Sequence, residues 1–188
     1  MKKINLIPVY LFLLLVAFSS CNSENDVMDA NLKTETETVK SDYSETAFGY
    51  HDNAENSKCF DQAGFNRWGW TTGPFFERQI LTLYAGAGQC DLTKGEKVGR
   101  VSLRYNHITR EGRAYFETYA PYVMQETHLY VGSEMYPVDN KGNITVAPGK
   151  YPFKHSDLGG VDYDIHYFKD LPDNGNGLYM IAHAVVTK

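Results

Sequence analysis

Short runs of alternating apolar and polar residues dominate the chain from residue 46 onward. In the run Val98–His107, Val101 and Leu103 fall on one side, whereas Arg100 and Arg104 fall on the other. Successive side chains of a β-strand point to opposite faces, so this period of two predicts a strand with one buried face. No stretch of this region has the 3.6-residue period of an amphipathic helix.

Several further runs repeat this pattern. They lie at residues 113–120, 127–131 and 161–167, and turn-forming clusters lie at 108–112, 139–143, 148–149 and 173–177. The last run, 178–187, is apolar on both sides, which predicts a central strand. In the run 161–167, Asp162, Asp164 and His166 share the side that we expect to face solvent. The pattern predicts an all-β domain, a single antiparallel β-sandwich, with a closed β-barrel as the alternative.

The N-terminus has a different pattern. Lys2 and Lys3 precede the apolar run Leu6–Phe18, which is shorter than the ~20 residues of a membrane-spanning helix. Two serines then lead to Cys21. This arrangement predicts a signal peptide over residues 1–20. The segment resembles the lipobox of bacterial lipoproteins, with phenylalanine in place of the usual leucine. The resemblance implies that Cys21 carries diacylglycerol and a further acyl chain such as palmitate. The alternative is ordinary secretory cleavage near Ser20.

Residues 21–45 are predicted to form a lipidated, acidic and flexible tether ahead of a single domain at 46–188. Residues 22–45 contain two lysines, seven acidic residues and one aromatic residue, Tyr43. Such a composition buries too little apolar surface to offset the entropy of folding. The acidic stretch 22–26 resembles the signal that carries Bacteroidota lipoproteins to the cell surface, which implies an outer-membrane location. A merely solvated linker is the alternative reading.

Charge limits the class of partner. The whole chain has a formal charge of −5, and removal of Lys2 and Lys3 with the signal peptide makes it −7. An acidic protein is unsuited to bind nucleic acid through phosphate contacts. We therefore expect no nucleic-acid partner, and contact with the membrane only through the lipid anchor.

Two cysteines remain if Cys21 is lipidated. Cys59 and Cys90 form an even pair in an exported domain, which favours a disulfide. The bond would close a loop of about 31 residues and contribute ~3–4 kcal/mol in the chain-entropy model. Two unpaired thiols are the alternative. Neither cysteine belongs to a metal-binding CxxC pair.

Five sequence blocks resemble an uncharacterised β-rich domain of secreted proteins and lipoproteins of Bacteroidota. The blocks are residues 67–71, 83–90, 126–132, 147–152 and 181–186, within a resemblance that runs from about Phe48 to the C-terminus. It implies an extracytoplasmic all-β module with a Cys59–Cys90 disulfide. It implies no established activity.

Three histidines are the candidate metal ligands. His128 and His183 lie in predicted strands, and His155 follows a turn. Convergence of the three from different strands would give a metal-binding or metal-dependent enzyme module, with Asp162 or Asp164 as an additional ligand or orienting group. The spacing contains no HExxH or HxH motif. The alternative is that each histidine makes a hydrogen bond in a polar layer of the core, with no cofactor.

Aromatic residues suggest binding instead of catalysis. Trp68 and Trp70 are two residues apart and share a face, where they could form a platform for sugar rings or peptide side chains. The alternative is that both tryptophans pack in the core beside the disulfide. Tyr115 and Tyr119, on a polar strand face, are further candidates for contact with a ligand.

The sequence therefore predicts a cell-surface lipoprotein that recognises an extracellular glycan or protein without catalysis. We identify no catalytic residue, since the chain lacks a GxSxG nucleophile motif. One alternative is the metal module of His128, His155 and His183. Another is a structural accessory subunit of an outer-membrane assembly.

Overall fold

The computed structural model describes residues 43–171 and 173–188, which contain ten β-strands and no α-helix. The strands are β1 (Ser44–Tyr50), β2 (Ser57–Cys59), β3 (Trp70–Phe75), β4 (Gln79–Ala85), β5 (Glu96–Asn106), β6 (Glu111–Thr118), β7 (Val123–Gly132), β8 (Phe153–His155), β9 (Tyr163–Lys169) and β10 (Leu178–Thr187). Four short 3-10 turns lie between them, at Ala54–Asn56, Asp61–Ala63, Gly88–Cys90 and Pro148–Lys150.

All ten strands belong to one antiparallel sheet centred on β10. This strand pairs with β7 on one side and with β1 and β3 on the other. The sheet continues from β1 through β4, β5 and β6 to β9, while β8 pairs only with β7. The prediction of a central last strand is confirmed.

The sheet folds over so that its two halves pack against each other as a β-sandwich. Leu103 and Phe116 from one half share an apolar core with Leu129 and Met180 from the other, and all four are fully buried. Burial of each such side chain contributes ~1.5–3 kcal/mol. The edge strands β8 and β9 share no backbone ladder, so the sheet does not close into a barrel.

A second apolar cluster covers the outer face of one half of the sheet. Phe48, Tyr84 and Ile181 project outward from β1, β4 and β10 and pack against Phe60 and Tyr151 from connecting segments. These strands are consequently buried on both faces. By contrast, β5, β6 and β9 have an outer face that is open to solvent.

The Cys59–Cys90 disulfide ties the second cluster together. Its Cα atoms are 6.1 Å apart, and Trp70 lies directly across from Cys59 in the β2–β3 ladder. The predicted disulfide is confirmed, and the bond fixes the covering segments against the sheet.

The domain starts slightly earlier than the sequence predicts. Ser44 and Glu45 belong to β1 and pair with Thr187 and Val186, so the expected boundary after residue 45 is two residues too late. Cys21, the signal peptide and the tether up to residue 42 lie outside the described residues. In the described part of the chain, no helix has the length and apolar character required to cross a membrane.

Candidate functional site

Arginines gather on the open outer face of β5, β6 and β9. Arg100 and Arg104 project from β5 and Arg113 from β6, and together with Arg78 they line a groove of about 400 Å³. Residues 46–188 contain six arginines, and four of these six line this one groove. With Tyr115, Tyr163 and Tyr167, described below, they form what we name the arginine–tyrosine face.

Strand register places two of these arginines directly opposite each other. Arg104 pairs with Arg113 across the β5–β6 ladder. Like charges in such cross-strand positions are destabilising. Within residues 43–171 and 173–188, no carboxylate lies within 4.0 Å of Arg78, Arg104 or Arg113. Three guanidinium groups are therefore available to an anion from outside this part of the chain.

The fourth arginine has a partner. Arg100 Nη2 lies 2.7 Å from Glu117 Oε2, and its Nε donates a second hydrogen bond of 2.8 Å to the same oxygen. These two residues are cross-strand neighbours. Arg100 thus bounds the groove with a neutralised charge, and the excess positive charge lies toward Arg104 and Arg113.

Tyrosines flank this charge. Tyr115 stacks on Tyr163 with ring centroids 6.1 Å apart and planes at 17°. Tyr167 pairs with Arg113 and is 69% exposed. A second depression of about 410 Å³ adjoins the groove, and its lining includes Arg104, Arg113 and Tyr167 together with Glu111. Aromatic faces and unpaired guanidinium groups therefore lie side by side.

The predicted tyrosine ligands lie at different places relative to this face. Tyr115 lines the groove and is half-buried. Tyr119 follows the end of β6, is 45% exposed and donates its backbone N–H to Val98. Only Tyr115 lies in the groove, and a role of either tyrosine in binding stays a prediction.

The tryptophan platform is not formed. Trp70 is 3% exposed and packs against Tyr50, with centroids 5.2 Å apart. Trp68 packs edge-on against Phe48 at 5.0 Å. The prediction of a ligand platform is therefore wrong for Trp70, because the second apolar cluster covers its face. The alternative, core packing beside the disulfide, describes both residues.

The three predicted metal ligands do not converge. His128 and His183 are cross-strand partners with their Nδ1 atoms 3.1 Å apart on the outer face. His155 instead lies opposite Thr127, and residues directly opposed in a ladder point to the same, inner face. The sheet therefore separates His155 from the other two histidines, and the proposed trio is wrong. Burial and the nearby His128 lower the pKa of His183 to about 3.

His155 belongs to a different polar group, which we name the seam cluster: His155, Asp164 and His166, with Thr127. His155 Nδ1 lies 2.9 Å from Asp164 Oδ2, and His166 Nε2 lies 3.4 Å from the same oxygen. The Thr127 hydroxyl donates to this carboxylate and lies 2.8 Å from His166 Nε2. The two imidazole rings are stacked with centroids 4.2 Å apart.

The environment of the seam cluster favours a neutral imidazole beside an ionised carboxylate. Burial, followed by the neighbouring His155, lowers the pKa of His166 to about 4. Burial acts to raise the pKa of Asp164, but hydrogen bonds from Thr127 and His155 outweigh this effect and hold the pKa below its ordinary value.

The expected orientation of β9 is reversed. Asp164 and His166 do share a side, but that side faces inward: the His166 side chain is 2% exposed and that of Asp164 is 11% exposed. Tyr163 and Tyr167 take the solvent side instead. Asp162 is exposed, outside the seam cluster. Alternation alone could not identify the inner side, because tyrosine is compatible with either environment.

Sequence reasoning noticed that Arg100 and Arg104 share a face, but it missed the contribution of Arg78 and Arg113. Their proximity depends on the pairing of β5 with β4 and β6. The available signal was the turn-forming cluster at residues 108–112 between two predicted strands, which pair in the register that brings Arg113 opposite Arg104.

Comparisons with known proteins add no functional label to this geometry. Neither family models, nor curated proteins, nor solved structures give a match to the chain. The resemblance to a Bacteroidota domain accordingly stays a prediction, and the function must be argued from the two sites themselves.

Proposed function

We propose that this protein recognises an acidic extracellular glycan, without catalysis, through the arginine–tyrosine face. The observation that carries the proposal is the direct opposition of Arg104 and Arg113 across the β5–β6 ladder, with no carboxylate from the described residues within 4.0 Å of either. An external anion would relieve the repulsion between them.

The two residue types in the groove suit the two surfaces of an acidic sugar. A guanidinium group offers a planar fork of donors that binds carboxylate or sulfate oxygens in pairs. A tyrosine ring buries the apolar C–H face of a pyranose and leaves its hydroxyl at a polar rim. Tyr115 and the arginines line one groove, so one ligand could contact both.

An ordinary solvated strand face is the competing explanation. Such a face mixes charges of opposite sign, as the Arg100–Glu117 pair does. Here positive charge is concentrated in a domain whose acidic residues, sixteen in residues 46–188, outnumber its fourteen basic ones. The arginine–tyrosine face thus has an excess of positive charge in a domain whose net charge is negative. This contrast favours a binding role.

The decisive experiment measures binding of the purified protein to a panel of uronic-acid, sulfated and neutral oligosaccharides. We expect binding to the acidic members, at least a tenfold loss in Arg104→Gln and Arg113→Gln, and weaker binding at high salt. Arg67→Gln is the matched control, because Arg67 is an exposed arginine outside the groove. Equal binding of neutral sugars, or equal losses in Arg67→Gln, would refute the proposal.

A stability measurement separates a binding role from a structural one. If Arg104 is retained for a ligand, Arg104→Gln should fold normally and melt slightly higher, because it removes the repulsion from Arg113. A lower melting temperature would indicate that Arg104 supports the fold. Failure of every glycan, together with a protein that co-purifies in fixed stoichiometry, would favour the accessory-subunit alternative.

We propose further that the domain is held at the cell surface of the outer membrane by lipid on Cys21. The N-terminal sequence pattern and the disulfide of an exported domain support this location. Mass spectrometry of the mature protein should find an acylated N-terminal cysteine, and Cys21→Ser should release the protein from membranes. An uncleaved N-terminus would contradict the lipoprotein assignment.

A further inference from the structure

Two polar side chains of β9 face the interior of the sandwich where the apolar core ends. Asp164 and His166 lie just beyond the contact between Phe153 of β8 and Phe168 of β9, whose ring centroids are 5.4 Å apart. A carboxylate directed toward a protein interior is costly unless it is paired or bound to a metal. Here the Asp164 carboxylate contacts one imidazole on β8 and one on β9, two edge strands that do not pair with each other.

We propose that His155, Asp164 and His166 form a binding site for a divalent transition-metal ion such as Zn²⁺. Two imidazole nitrogens and one carboxylate are a ligand set that zinc and other first-row divalent metals accept. This inference does not depend on the arginine–tyrosine face, which lies on the opposite side of the sheet.

The spacing of the ligand atoms suits a single ion. Tetrahedral zinc with bonds of about 2.1 Å requires ligand atoms about 3.4 Å apart. Asp164 Oδ2 lies 2.9 Å from His155 Nδ1 and 3.4 Å from His166 Nε2, and the three ligand atoms all lie within 4.8 Å of one another. The His155 and His166 rings are stacked with their planes at 14°, so at least one ring must rotate for both nitrogens to point at the ion.

A fourth residue contacts two of the proposed ligand atoms. The Thr127 hydroxyl, itself fully buried, donates to Asp164 Oδ2 and lies 2.8 Å from His166 Nε2. An ion bound at these two atoms would replace the contacts of Thr127, whereas a residue that orients metal ligands bonds to their other polar atoms. Thr127 therefore lies beside the proposed site and marks the position that the ion would take.

Solvent has a route to the site. The His155 side chain is 45% exposed, whereas that of His166 is 2% exposed, so the cluster is open on the β8 side. Asp164 also lines a groove of about 610 Å³ together with Leu158 and Val161. Three protein ligands leave coordination positions free, and this groove offers space for water or a further ligand at them.

The test is zinc binding by the purified full chain after removal of metal with a chelator, measured by calorimetry and by metal analysis. We expect one equivalent of Zn²⁺ per chain and a dissociation constant raised at least a hundredfold in His155→Ala and Asp164→Asn. His155 is the most exposed ligand, so His155→Ala should retain the fold even if Asp164→Asn does not.

Two variants serve as controls. His107→Ala removes a second histidine–carboxylate pair, since His107 Nδ1 lies 2.6 Å from Asp173 Oδ2 without another histidine. It should bind zinc like the wild type. His183→Gln tests the His128–His183 pair in the same way. Absence of zinc binding by the wild type, or binding lost in either control but retained in His155→Ala, would overturn the proposal.

Discussion

The buried histidine of β10 makes the stability of the domain depend on pH. His183 is 4% exposed, packs against the Phe48 ring with centroids 4.7 Å apart, and meets His128 as its cross-strand neighbour. Burial, followed by repulsion from His128, lowers the pKa of His183 to about 3. In the unfolded chain the pKa of a histidine is about 6.5.

The sign follows from proton binding. Between pH 6.5 and pH 3 the unfolded chain binds a proton at residue 183 that the folded domain excludes, so the free energy of unfolding falls as the pH falls. The slope is about 1.4 kcal/mol per pH unit below pH 6.5. At pH 5 the loss attributable to His183 is therefore about 2 kcal/mol, a large share of typical domain stability.

Urea unfolding at pH 7.5 and pH 5.0 tests this reasoning with His183→Gln, which retains a polar side chain but cannot titrate. We expect the wild type to lose about 2 kcal/mol more than the variant between these pH values. His166 lies on the other face of the sheet and titrates in both proteins, so the comparison reports on residue 183 together with its 3.1 Å contact to His128. Equal losses would refute the argument that burial keeps His183 neutral.

A control of opposite sign is provided by His107. Its hydrogen bonds to Asp173 and then to the Phe76 carbonyl raise the pKa of this histidine. Its contribution to stability is therefore present at low pH and is lost as the pH rises through the folded-state pKa. His107→Gln should make the loss of stability on acidification larger, and His183→Gln should make it smaller.

Three further variants test the fold. Replacing Cys59 and Cys90 with serine should lower the free energy of unfolding by about 3–4 kcal/mol, because the bond closes a 31-residue loop; denaturant unfolding that detects a loss below about 1 kcal/mol would contradict this. Gly142→Ala should lower the free energy of unfolding by about 1 kcal/mol, because the backbone of Gly142 is left-handed. Gly73→Ala should cost a further ~1–3 kcal/mol, because its Cβ would lie 2.6 Å from a β10 carbonyl oxygen. Equal midpoints for the two glycine variants would contradict that steric argument.

Much of the fold was predictable because strand alternation is a local property. The apolar positions Val101 and Leu103 of β5 are fully buried, and the polar positions Arg100 and Arg104 are exposed, as the pattern indicates. The last strand is buried on both faces, as its continuous apolar run predicts. The disulfide also followed from the number of cysteines, given the predicted export of the domain.

The candidate sites were less predictable, for two distinct reasons. Alternation groups Asp164 with His166 but does not reveal that their side faces inward. The partnership of His155 with this pair depends on its register with Thr127, where a shift of one residue would move it to the other face. The same dependence on register hides the opposition of Arg104 and Arg113.

The amino-acid sequence by itself determined the strands, their two-residue alternation, the cysteine pair and the polarity of each strand side. Only the tertiary structure decided which sides meet in the core, which arginines oppose each other and which histidines share a carboxylate. The physical reason is the distance along the chain over which each interaction acts. Side-chain alternation is set by neighbouring peptide units, whereas strand register and the folding of the sheet depend on contacts between residues far apart in the chain.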